Sequence, residues 1–144
     1  LPVDVARERM LAGTRTVAAV ETLPLEACLD RWLVDDLICP IDVPAHDNSA
    51  MDGYAFDGAA LAQDAPLALR SVATVFAGTP FAGTVTVGEC VRIMTGAVMP
   101  TGLDTVVPLE LCRADGERVE IAPSVLQPGE NLRLRGEDLA ALAA

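Results

Sequence analysis

Nine consecutive residues, Asp47-Asn48-Ser49-Ala50-Met51-Asp52-Gly53-Tyr54-Ala55, gather two carboxylates, an amide, a hydroxyl and a glycine beside His46, the only histidine of the chain. Groups of this kind can bind a metal or orient a polar ligand. A tight turn at Asp52-Gly53 would push the carboxylate outward, while the glycine would let a ligand come close to the backbone. Aspartate offers hard anionic oxygens, which suit Mg2+, a cation that takes one or two protein carboxylates and completes its shell with water and substrate phosphate. The same stretch also reads as plain structure, with residues 44 to 49 a polar turn and Asp-Gly a dipeptide that hairpins favour. Asp47 suits a bond to backbone amides of its own loop. His46 has no second histidine or nucleophile to pair with, so little direct chemistry is expected of it.

Further candidates lie downstream. Thr95 falls where a strand must turn at Gly96, and its hydroxyl could serve the local backbone or a ligand. Arg92, three residues earlier, would face the other side of that strand and reads as half of a structural ion pair before a ligand contact. Arg133 and Arg135 are two apart, so an extended segment would turn both to one side, where they could grip an anion. Asp138 closes the triplet Gly136-Glu137-Asp138; an acidic pair there could also favour a helix start ahead of Leu139. Glu110 reads as a supporting carboxylate.

Two kinds of element must position these groups. Pro2, Asp4, Val3, Val5, Met10 and Leu11 suit a short amphipathic helix closed by Gly13. Leu25, Cys28, Leu29 and Trp32 share one face at i, i+3, i+4 and i+7, which predicts a second helix with Trp32 as a core or interface anchor. From Leu37 onward prolines, glycines and short β-branched runs replace helical periodicity. Expected strands span 67–76, 84–87, 90–94, 105–109 and 118–121, making a compact, mostly antiparallel β domain.

Composition narrows the function classes. The 144 residues are 51% apolar, enough for a core, and the net charge of −11 opposes nucleic acid and anionic membrane surfaces. No apolar run approaches the roughly 20 residues that span a bilayer, so a cytoplasmic location is expected. Cys28, Cys39, Cys90 and Cys112 lie far apart, and with one histidine they argue against a zinc cage and for buried reduced thiols. The start at Leu1 and the stop at Leu142-Ala143-Ala144, inside an apolar run, suggest a piece of a longer protein.

Three separated stretches carry a resemblance: DNSAMDGYA at 47–55; GECVRIMTGA at 88–97 with Pro100, Gly102, Asp104, Val106, Val107 and Glu110; and GENLRLRGED at 129–138. In order and spacing they are similar to the amino-terminal half of the molybdopterin molybdenumtransferases, the MoeA and gephyrin E-domain family. The resemblance implies an α+β, predominantly β fold, with a compact β-rich module (40–126) inserted in an elongated α+β module (1–39 and 127–144). It also implies that pterin-binding and β domains follow in the whole protein.

The implied activity is insertion of molybdate into adenylylated molybdopterin with release of AMP, in molybdenum cofactor biosynthesis. The family's functional residues fall on Asp52, Thr95 and Asp138 as catalytic positions, with Asp52 and Asp138 as Mg2+ ligands. Ser49, Gly53, Gly96, Arg133 and Arg135 are the implied substrate contacts. Leu134 stands where the family more often has a basic residue, which interrupts a basic strip. The family pattern further implies a homodimer sharing the active site, this chain holding half of it and being inactive alone, with the molybdopterin adenylyltransferase a further candidate partner. Two alternatives remain open: a non-catalytic scaffold module of the same fold, for which receptor-anchoring animal members are a precedent, and a relative handling another oxyanion such as tungstate.

Overall fold

Proline and glycine punctuation sets the first element. In the computed structural model, which describes residues 1–141, helix α1 runs Val3–Ala12. Pro2 precedes it, Asp4 and Arg9 complement the helix dipole at its two ends, and Gly13 closes it by donating its N–H to the Arg9 and Met10 carbonyls. This matches the expected helix, although its apolar side chains are all left unburied. The second expected helix does not form. Only a short 3-10 turn, Leu25–Ala27, appears, Asp30 has φ +62, and Trp32 is 97% exposed. A helix costs more to nucleate than it gains per turn unless a packed face repays it, and within this unit nothing covers the Leu25–Trp32 stripe. Residues Leu1–Leu37 form one compact unit, and Ile38–Ala144 form a second.

The second unit is built on strands. Along the chain they are β1 (Asn48–Ser49), β2 (Gly53–Phe56), β3 (Leu67–Val75), β4 (Glu89–Ile93), β5 (Thr105–Pro108), β6 (Cys112–Asp115), β7 (Arg118–Ile121) and β8 (Leu132–Arg133). Six of them make a curled sheet in the order β5-β2-β4-β3-β7-β6, antiparallel except for the parallel pair β3 and β4. β1 and β8 pair separately, Asn48 opposite Arg133 and Ser49 opposite Leu132.

Side-chain alternation explains why the sheet is buried on both sides. Tyr54, Phe56, Cys90, Val107, Val119 and Ile121 belong to one apolar cluster, whereas Ala55, Val75, Val91, Ile93 and Val106 belong to another. Neighbours in sequence thus feed opposite faces. Each fully buried Val, Ile or Phe contributes about 1.5–3 kcal/mol through removal of apolar surface from water.

Expectation and structure differ at particular strands. Residues 84–87 are not a strand: Glu89 turns back to accept the Thr86 amide at 2.9 Å, and Gly88 sits at φ +83, so the chain spends this stretch turning into β4. The short strands β1, β2, β6 and β8 were not anticipated, since two to four residues carry little periodicity. Of the four cysteines, all free thiols, only Cys90 is fully buried, and Cys28 is exposed. That corrects the expectation of uniformly buried thiols.

Candidate functional site

Asp52 and Thr95 lie 43 positions apart in sequence and meet in space. The Asp52 Oδ1 atom accepts two hydrogen bonds, from the Thr95 amide at 2.7 Å and from the Thr95 hydroxyl at 2.7 Å. Both residues are exposed. The approach follows from the ladder: β2 and β4 are antiparallel with Gly53 opposite Ile93, so the segments just beyond those two residues leave the sheet together. Residues 94 to 97 then form a turn, with the Ala97 amide donating to the Met94 carbonyl and Gly96 at φ +78, the backbone a type II turn asks of its third residue. This turn swings Thr95 onto Asp52. Simple strand alternation, which would have put Thr95 and Arg92 on opposite faces, stops applying where β4 ends at Ile93.

The carboxyl of Asp52 is held below its ordinary value, first by the Thr95 amide, then by the Thr95 hydroxyl and by the positive charge of Arg92, with burial opposing. Asp52 is therefore a fixed anion. Its Oδ2 makes no hydrogen bond among the described residues, so one hard oxygen faces outward.

Ser49 and Gly53, expected as substrate contacts, are framework instead. Ser49 is buried, and its hydroxyl donates to the Met51 carbonyl at 2.6 Å, which folds the motif back on itself. Its backbone meanwhile exchanges bonds with Gly96 and Ala97. Gly53 is required by a close approach, because a Cβ there would lie 2.0 Å from the Val107 carbonyl oxygen of β5. Gly96 remains exposed beside Thr95.

The third stretch forms a second polar cluster. Arg133 donates from Nε to Glu137 at 2.7 Å and from a terminal nitrogen to Asp138. The Arg133 pKa is raised, first by Glu137 and then by Asp138, while Glu137 is lowered by Arg133 and by the Leu134 amide. Arg135 lies past the end of β8, in a turn, and pairs with Asp42, while its amide donates to Asp47 at 2.7 Å. The two arginines thus do not form the expected two-residue grip on an extended strand, and each is bound to its own carboxylates. Asp47, expected to bond amides of its own loop, instead accepts the amide of Arg135, 88 positions away. Asp138 does not open a helix within the described residues; its neighbour Leu139 bridges to Val43. Residues 142–144, where a helix would continue, lie outside the described residues.

Among the described residues no hydrogen bond or ion pair joins Asp138 to Asp52 or Thr95, and no group of three or more His, Cys, Asp or Glu side chains could hold a metal by itself. The donor set fits Mg2+ only in the form of a single outward carboxylate, Asp52, with the rest of the shell from water and a phosphate-bearing substrate. The Asp138 Oδ2 atom is taken by Arg133.

One contributor escaped the sequence. Asp42, 93 positions from Arg135, accepts both Arg135 and the Ala141 amide, and no local signal marks it. Arg92 makes no ion pair among the described residues, contrary to the structural pair expected of it. His46 lines an open groove of about 320 Å³ with Met99, Thr101, Gly102 and Arg135. Glu110 sits exposed in a 3-10 turn between β5 and β6.

This architecture has known counterparts. The model of the family described as "MoeA N-terminal region (domain I and II)" matches residues 1–143. A molybdopterin molybdenumtransferase of Haemophilus influenzae is 37% identical over 96% of this chain and 34% of its own length. One from Synechococcus elongatus is 41% identical over 84% of this chain and 31% of its own. The crystal structure of the molybdopterin biosynthesis moeA protein from Pyrococcus horikoshii OT3 superposes over 100% of this chain and 38% of its own with a TM-score of 0.80 at 27% identity. The chain spans about a third of the length of these relatives. A family match along nearly every residue and a superposition along the whole chain agree, and the chain belongs to the MoeA N-terminal region family.

Proposed function

We propose that the protein containing this chain works in molybdenum cofactor biosynthesis, inserting molybdate into adenylylated molybdopterin with release of AMP, and that this chain supplies half of a site shared across a homodimer. The observation that carries the reading is the Asp52–Thr95 pair, a fixed exposed anion braced by a hydroxyl and an amide. Relatives sharing 37% and 41% of their aligned residues bear the name molybdopterin molybdenumtransferase.

The reaction brings a phosphoryl group and an oxyanion together, so repulsion must be offset and the leaving group oriented. In this reading Asp52, joined by Asp138, holds Mg2+, which supplies charge neutralisation at the phosphoryl oxygens. Thr95 fixes which Asp52 oxygen points outward, and Gly96 leaves the adjoining backbone open to the substrate. Arg133 and Arg135, braced by Glu137 and Asp42, hold the rim of the site. The proposed division is an elongated module of residues 1–39 and 127–144 around a β-rich module of 40–126, with the pterin-binding domain elsewhere in the whole protein. A homodimer would give cover to the exposed Leu25, Leu29, Trp32 and Leu33. No helix among the described residues is long and apolar enough to cross a membrane, and a cytoplasmic site of action is proposed.

The test is cofactor formation by the full-length protein. Asp52→Ala is expected to abolish it along with its Mg2+ dependence, and residues 1–144 alone are expected to give negligible turnover. Unchanged activity of Asp52→Ala would remove the metal role, and robust turnover by residues 1–144 would remove the shared site.

A further inference from the structure

Arginines in the second unit are mostly spoken for. Arg70 pairs with Glu89, Arg118 with Glu120, Arg133 with Glu137 and Asp138, and Arg135 with Asp42. Arg92 and Arg113 make no ion pair among the described residues, and of these two Arg92 is the one beside the Asp52–Thr95 pair. In a chain of net charge −11 an uncommitted guanidinium next to a carboxylate is unusual economy.

Its placement follows from the sheet. Arg92 is directly opposite Tyr54 in the β2–β4 ladder. Asp52 directly precedes Gly53, whose ladder partner Ile93 directly follows Arg92, so the register brings Asp52 and Arg92 to the same end of the β2–β4 ladder. No ion pair joins the two among the described residues, which leaves the guanidinium free for an oxyanion at the Asp52–Thr95 pair. Arg92 is exposed, and its strand continues into the turn that carries Thr95. A guanidinium offers five donors in a planar fork that matches phosphate and other tetrahedral oxyanions bidentately.

We propose that Arg92 is an oxyanion contact of the Asp52–Thr95 site, binding a tetrahedral phosphoryl or molybdate group of the substrate. The proposal rests on the functional reading above and assigns it a residue.

The experiment is calorimetric titration of the full-length protein, wild type and variants, with magnesium pyrophosphate in one arm and sodium molybdate in the other. Cofactor formation by the wild type is measured in parallel. Arg92→Gln is expected to weaken one of the two anions by about tenfold to a hundredfold, the range for a charge-assisted hydrogen bond. Arg92→Lys should recover part of that loss, while Arg113→Gln on the same sheet should bind like wild type. Loss in the pyrophosphate arm assigns a phosphoryl group to Arg92, and loss in the molybdate arm assigns molybdate. Binding by Arg92→Gln within twofold of wild type in both arms, equal losses from Arg113→Gln, or no binding by the wild type overturns the proposal. If the wild type forms cofactor while Arg92→Gln titrates normally, only Arg92 loses its role. If the wild type forms none but Arg92→Gln still loses anion affinity, the oxyanion contact stands and the functional reading falls.

Discussion

Asp52 accepts both the amide and the hydroxyl of Thr95 on one carboxylate oxygen, so a single side chain ties the turn after β4 to the loop before β2. Asn at position 52 would keep an Oδ1 that can accept the same two bonds and would exchange the free anionic Oδ2 for a neutral NH2 donor. In the full-length protein Asp52→Asn is therefore expected to melt close to wild type while cofactor formation falls by at least about tenfold, the scale on which metal-site partners act. Thermal denaturation and steady-state assay of the same preparation check this, and parallel loss of both quantities would make Asp52 structural.

The Thr95 hydroxyl can be removed without its amide. In Thr95→Val the Asp52 carboxyl should move part of the way back towards its ordinary 3.8, since the amide, the larger influence, remains. A carbon-detected NMR titration of Asp52 in the two proteins measures the shift.

Acid should weaken the fold in a defined direction. Asp42, Asp52, Glu89 and Glu137 all have folded-state pKa values below their ordinary ones. A depressed carboxylate contributes stability that is fully present above its unfolded value and is lost as pH falls through the folded value. Urea midpoints should thus hold down to about pH 5 and decline below it, and the decline should be shallower in Thr95→Val. A midpoint that rises on acidification would contradict these directions.

Gly53→Ala tests packing alone. The added carbon would meet the Val107 carbonyl oxygen at 2.0 Å, and β5 cannot recede without breaking its pairing with β2. A loss of about 3 kcal/mol is expected, at the upper end for overpacked cores. Urea denaturation of the residue 1–144 chain reads it directly.

Thiol labelling should sort the cysteines by environment. Burial pushes the Cys90 thiol up to about 12, so the thiolate needed for alkylation is scarce in the native state. Mass spectrometry after brief iodoacetamide treatment should find exposed Cys28 modified and Cys90 intact until the protein is unfolded.

Much of this was legible in the residues. Pro2 and Gly13 bracket α1 because a ring-fixed φ and a closing glycine are local properties. Residues 67–75, 89–93, 105–108 and 118–121 show themselves as strands through β-branched runs, and the motif stretches at 47–55, 88–97 and 129–138 carry the family. The stripe from Leu25 to Trp32 misled because periodicity signals an apolar face without saying that anything covers it. What only the tertiary structure decided are relations between distant positions: Thr95 on Asp52 across 43 residues, Arg135 on Asp42 across 93, Ser49 turned inward, and Arg92 brought to the end of the β2–β4 ladder where Asp52 lies. Local sequence fixes φ, ψ and side-chain chemistry, whereas these pairings depend on strand register and on where a ladder ends. Register is set by the packing of the whole sheet and is written in no single segment.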